Sequence, residues 1–239
     1  MIRPSRFLSP AALTLAVLLA APAAAQAPDR TPIPCTEDAM IVFDASGSMA
    51  GNTVQGLFSD ITRIDEVRKA LAQVLPGVTK YRKVGLITYG PGPYLHCNVK
   101  LDFEPIPNAA EPIMSAVNGL NPAGKTPLVE AVKQAAKVLD YQSNKGVVVL
   151  LTDGEETCGG APCALGKLLK LSGRLTVHVI GYQLRAFRWT GAQSFLDTKC
   201  LAEETGGLYI TAENRDDLVK AFEQTLGCPM MSSRSSLLR

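Results

Sequence analysis

The chain has 239 residues, about the length of one large domain or two small ones. Lys and Arg number 24 against 22 for Asp and Glu, and two of those cations, Arg3 and Arg6, stand before an apolar run at the start, so the remainder is formally neutral. With 46% hydrophobic, 19% charged and 6% aromatic residues, the composition excludes a disordered chain. The neutral balance gives no electrostatic footprint for nucleic acid and no polybasic membrane patch.

Residues 1–25 read as a secretory signal peptide, with a cationic tip, an apolar core from Ala11 to Ala21, and small residues suited to cleavage after Ala25 or Ala27. A membrane anchor is the alternative, but Pro10 and Pro22 bracket eleven residues where a span needs ~20. No later segment approaches spanning length, so the expected address is periplasmic or secreted, with no membrane span in the mature chain. Residues 26–37 form a linker rich in proline (Pro28, Pro32, Pro34), residues 38–228 the folded domain, and 229–239 a flexible tail. The six cysteines (Cys35, Cys97, Cys158, Cys163, Cys200, Cys228) all fall in the exported part, which favours disulfides. Zinc does not suit the spacing, because Cys158 and Cys163 have neither a second close pair nor a His-x-x-x-His partner.

Strands and helices alternate through the domain. Met40 to Phe43 is a short apolar strand, followed by Asp44-Ala45-Ser46-Gly47-Ser48. Ile64, Val67, Leu71, Val74 and Leu75 recur at helical spacing, and Lys83 to Tyr89 is the next strand. A Gly-Pro-Gly-Pro turn then leads to an alternating segment, His96 to Phe103, which reads as a hairpin return strand. Ile113, Val117 and Leu120 mark a helix. Gly119-x4-Gly124-Lys125-Thr126 matches a phosphate loop in letters, but a phosphate loop follows a strand and this follows a helix. Leu128, Val132, Ala135, Val138 and Leu139 form the next helical stripe, ahead of the strand Gly146 to Leu151, which ends in Thr152-Asp153-Gly154. Glu155 and Glu156 read as solvated or as a cap for the next helix, near Pro162 to Leu171. After the strand Thr176 to Tyr182, the segment Leu184 to Thr190 gathers Arg185, Arg188, Phe187 and the only Trp, Trp189, as a binding loop or a packed one. Leu208 to Thr211 and the stripe Leu218, Phe222, Leu226 close the series, with Asp216 and Asp217 at the favourable end of the last helix. His178, inside a strand, reads as packing. The alternation implies an α/β fold: a doubly wound, mainly parallel sheet with one antiparallel edge strand and helices on both faces. In such sheets the site lies beyond the carboxyl ends of the strands, near the switch in strand order.

That is where the candidate residues fall. Asp44, Ser46 and Ser48 follow one strand, Asp153 follows another, and Thr126 opens a helix. An all-oxygen set from three loops suits a hard cation such as Mg²⁺ rather than zinc or copper. Asp44-x-Ser46-x-Ser48, Thr126 and Asp153 resemble the von Willebrand factor type A domain family with its metal-ion-dependent adhesion site, and Thr-Asp-Gly-Glu-Glu-Thr-Cys at 152–158 is similar to a bacterial exported subgroup. The resemblance implies that Ser46 and Ser48 bind the cation directly, Thr126 directly or through water, and Asp44 and Asp153 mainly through water. It implies Mg²⁺, with Mn²⁺ or Ca²⁺ as alternatives, and a protein or peptide partner that presents Asp or Glu. Two other readings stand beside it. One is a structural or assembly module of the cell envelope whose metal site is vestigial or only stabilising. The other is a hydrolase using Ser46 or Ser48 with His96 as base, although the surroundings are not Gly-x-Ser-x-Gly. The expectation is a binding domain, not an enzyme.

Topology also suggests disulfide pairs. Cys35 and Cys228 lie at the edge where the parallel strands begin and should pair. The other four belong near the opposite edge, with Cys158–Cys163 and Cys97–Cys200 favoured among three connectivities because the first closes a short loop.

Overall fold

A computed structural model describes residues 37–53, 61–184 and 192–228. Residues 1–25, read as a signal peptide, most of the expected linker, Cys35, the segment Arg185 to Thr190 and residues 229–239 lie outside the described residues. β1 (Asp38–Asp44) is buried on both faces, as an unbroken apolar run in the middle of a parallel sheet must be. It is followed by a 3-10 turn (Gly47–Ala50), α1 (Arg63–Val78), β2 (Val84–Tyr89), β3 (Val99–Ile106), α2 (Ala110–Asn118), α3 (Leu128–Val138) and β4 (Gly146–Thr152). Then come α4 (Pro162–Lys170), β5 (Leu175–Tyr182), α5 (Ala192–Glu204), β6 (Tyr209–Ala212) and α6 (Arg215–Leu226). The strands form one sheet in the order β3-β2-β1-β4-β5-β6. Every pairing is parallel except β2 with β3, so the antiparallel edge strand read from the sequence is β3.

Alternation along the strands feeds two cores. Ala39, Ile41 and Phe43 of β1, with Val147, Val149 and Leu151 of β4, face α1, α2 and α6. Met40 and Val42, with Val148 and Leu150, face α3, α4 and α5. Local signals set the helix ends. Thr62 and Asp65 form a reciprocal capping box at the start of α1, and Asn214 caps α6 by accepting the Asp217 N–H at 2.9 Å. On β3 the Asp102 carboxylate is turned inward, 5% exposed, taking the Thr88 hydroxyl at 2.8 Å and Lys100 Nζ at 2.6 Å.

Two disulfides correct the sequence expectation. Cys97 is bonded to Cys158 and Cys163 to Cys200, with Cα separations of 6.0 and 5.0 Å. Because α4 begins at Pro162, Cys163 sits on its first turn and is carried away from Cys158. α4 lies beside α5, where Lys170 reaches Glu204 at 2.9 Å, and the same alignment sets Cys163 against Cys200, which lies well inside α5. Cys158 is left to join the loop after β2. The four cysteines do pair among themselves. Cys228 is disulfide-bonded as well, and the Cys35 end of the expected pair lies outside the described residues.

Candidate functional site

The strand order reverses between β1 and its neighbour β4, and the loops after these two strands carry Asp44, Ser46, Ser48 and Asp153. Asp44 is the last residue of β1 and is fully buried. Its Oδ1 accepts the Ser46 N–H at 2.7 Å, while Oδ2 accepts the Tyr89 hydroxyl at 2.8 Å and the Thr152 hydroxyl at 3.1 Å. These donors fix the carboxylate and fold the chain back so that the two serines face one way. Ser46 Oγ lies 3.0 Å from Ser48 Oγ, and the Ser48 hydroxyl donates to Asp153 Oδ1 at 2.6 Å.

The third loop arrives through backbone contacts. Ser46 pairs with Gly124 as an isolated parallel bridge, and the Gly47 N–H donates to the Gly124 carbonyl at 2.9 Å. Two residues on, Thr126 is buried, its N–H held by Thr157 Oγ1 at 2.8 Å, and among the described residues its hydroxyl has no hydrogen-bond partner. Glu156 joins the same knot, because its Oε2 accepts the Val129 N–H at 2.9 Å and its Oε1 the Cys158 N–H at 2.6 Å. It therefore caps α3, the preceding helix, rather than the following one.

Two buried carboxylates share this edge, and burial raises both. Asp44 is pushed up to about 7, first by loss of water and then by the charge of Asp153. Burial also raises Asp153, against the pull of the Ser48 hydroxyl and of Arg63, whose Nη1 lies 2.9 Å from Asp153 Oδ2. The donors comprise two carboxylates and three hydroxyls with no sulfur or imidazole among them, which fits a hard divalent cation. Among the described residues no group of three or more His, Cys, Asp or Glu could hold a metal; a site of this kind would depend on its hydroxyls.

Sequence reasoning missed four residues that build the site. Tyr89 and Thr152 read only as strand positions, although a polar residue at the end of a buried strand is a usable signal. Gly90 has φ +75°, and a Cβ there would come within 2.7 Å of Ser46 Cα and 2.6 Å of the Lys125 carbonyl, so only glycine lets the chain after β2 pack against both the Ser46 loop and the Thr126 loop. Arg63 gave no signal, since an Arg after Thr62 reads as the opening of a helix. His96, the base a hydrolase would need, is exposed, and its imidazole has no hydrogen bond to either serine among the described residues.

The sheet order, the two helical layers and the three-loop edge define a von Willebrand factor type A fold. The family's sequence profile, described as the von Willebrand factor type A domain, matches residues 39–156. YwmD of Bacillus subtilis is 31% identical over 195 residues, spanning 77% of this chain and 82% of that protein. YwmC of the same organism is 29% identical over 216 residues, 86% of this chain and 90% of that one. The chain belongs to the von Willebrand factor type A family. Solved structures share the fold at low identity. BatB of Bacteroides thetaiotaomicron has a TM-score of 0.60 at 18% identity, covering 84% of this chain and 100% of that one. The pilus adhesin SpaC of Lactobacillus rhamnosus GG has a TM-score of 0.61 at 18% identity, covering 82% of this chain and 30% of that one. Proximal thread matrix protein 1 of the mussel byssus has a TM-score of 0.56 at 17% identity over 81% of this chain, which spans 48% of that protein's length. One structure of the mussel protein has zinc in its MIDAS motif. Among the described residues of the present chain, no helix is long and apolar enough to cross a membrane.

Proposed function

We propose that the protein is an exported binding domain, not an enzyme, that engages an acidic side chain of a protein or peptide partner through a divalent cation. Mg²⁺ is the first choice, with Mn²⁺ and Ca²⁺ after it. Ser46, Ser48 and Thr126 would offer hydroxyl oxygens, and Asp44 and Asp153 would act mainly through water. The observation that carries this reading is the continuous run Ser46 Oγ, Ser48 Oγ, Asp153 Oδ1 at 3.0 and 2.6 Å, beside a loop that brings in Thr126, whose hydroxyl has no hydrogen-bond partner among the described residues. A bound cation supplies positive charge and an open coordination position. The chain supplies the geometry: Tyr89 and Thr152 hold Asp44, and Asp44 holds the backbone turn that aims Ser46 and Ser48. With so many protein donors already on it, Asp44 suits contact through water better than direct ligation. The signal-like start and the disulfides support export, and the pilus adhesin and matrix proteins that share the fold support a role in attachment.

The ion pair between Arg63 and Asp153 favours a second reading, an envelope assembly module whose site keeps its shape without a cation. Titration calorimetry with MgCl₂ and MnCl₂ separates the two. Wild type should show one saturable site that is lost in Asp44→Ala and in Ser46→Ala, with far-UV circular dichroism unchanged. Equal affinity in both variants removes these residues from the site, and no uptake by wild type leaves the assembly module.

A further inference from the structure

Arg63 is the only cationic side chain bonded into the three-loop edge among the described residues. It is the first residue of α1, and its backbone N–H donates to the Gly51 carbonyl at 2.9 Å. Nη1 donates to Asp153 Oδ2 at 2.9 Å and to the Ser48 carbonyl at 3.2 Å, and Nε reaches Gln183 Oε1 at 3.4 Å. Gln183 is itself held: it is buried, has φ +52°, and donates its amide to the Tyr182 hydroxyl at 3.2 Å and the Glu213 carbonyl at 3.3 Å. The guanidinium is thus fixed by both site loops and by the end of β5. Nη2 has no partner among the described residues, and the side chain is 17% exposed, so this nitrogen remains available at the rim.

Charge counting gives this placement a consequence. Two ionised aspartates would cancel a divalent cation. With Arg63 bonded to one of them, a loaded site keeps one unit of positive charge in a poorly screened position. We propose, on the reading that this edge binds a divalent cation, that Arg63 is the resident counter-charge of the site: it loosens the hold on the cation and makes the loaded site prefer a carboxylate to a neutral oxygen ligand. Arg63 is then a positioning and specificity residue. Its own free nitrogen offers the incoming carboxylate a second hydrogen bond.

Two probes test the proposal on the full mature chain. Mn²⁺ uptake is read from the electron paramagnetic resonance of the free ion, and acetate binding from methyl-proton relaxation on the Mn²⁺-loaded protein. Arg63→Gln should bind Mn²⁺ about tenfold tighter and acetate about fivefold weaker than wild type. Arg63→Met, which keeps the aliphatic stem, should shift both in the same directions. Arg63→Lys keeps the charge but not the planar fork, and should stay within about threefold of wild type on both scales. Mn²⁺ affinity in the charge-free variants equal to or below that of wild type overturns the proposal, as does unchanged acetate affinity. A wild type that takes up no Mn²⁺ defeats the metal reading itself, a result these variants cannot imitate.

Discussion

Replacing His178 by Asn should flatten the acid limb of the domain's stability curve. His178 lies on β5, where its Nδ1 accepts the Leu208 N–H at 3.0 Å, a bond that requires that nitrogen unprotonated. Burial, followed by the nearby Arg82 charge, lowers its pKa from 6.5 to about 4. The unfolded chain therefore takes up this proton at a higher pH than the folded one. The contribution is complete above pH 6.5 and is lost as pH falls toward 4. At pH 4.5 the loss comes to about 2.5 kcal/mol, a sizeable part of the ~5–15 kcal/mol by which domains are stable. Asp44 runs the other way: its folded pKa is raised to about 7, so acidification below 7 favours the fold on its account. That term is common to wild type and variant and cancels in their difference. Asn sets a carbonyl oxygen near the position of Nδ1 and does not titrate. Urea unfolding in EDTA, with disulfides intact, at pH 7.5 and 4.5 gives the comparison. Wild type should lose about 2.5 kcal/mol more than His178→Asn across that interval; parallel losses, within about 0.5 kcal/mol, would refute the argument from burial and the Leu208 bond.

The same substitution should have opposite signs at two glycines. Gly90→Ala, with positive φ and backbone within 2.8 Å of the new Cβ, should cost about 2 kcal/mol or more. Gly77→Ala, near the end of α1 with nothing within 4 Å, should stabilise by about 0.5–1 kcal/mol; thermal unfolding reads both. Removing the Cys97–Cys158 bond as a double Ala variant opens a link across a sequence separation of 61. The loss should be about 4 kcal/mol, and peptide mapping of the unreduced wild type should return Cys97 joined to Cys158 and Cys163 joined to Cys200.

What could be read in the letters was whatever local patterning decides. The run Met40 to Phe43 is buried on both sides and reads as a central strand, and the residues after it are at the site because a strand ends there. Thr126 was recoverable because a helix start follows a glycine. Arg63 was not: its target, Asp153, lies 90 residues away, and only the direction in which α1 leaves the 3-10 turn sets one against the other. The disulfides failed for a similar reason. Loop length favours Cys158 with Cys163, but Cys163 is fixed on the first turn of α4 while Cys158 stays in the loop before it, and each has a partner on another segment. Glu156 also looked forward in sequence and turned back in space, because the open N–H of Val129 lay within its reach.

Asp102 turns its carboxylate inward on the exposed edge strand, where Thr88 and Lys100 hold it. A foreign strand laid against β3 would shut that ion pair away from water at a steep desolvation cost, and Pro105 would offer it no N–H. At the other edge β6 has four residues, a poor template for extension. Proteins that grow into fibres by lending strands to one another need an open border, and this sheet closes both of its own.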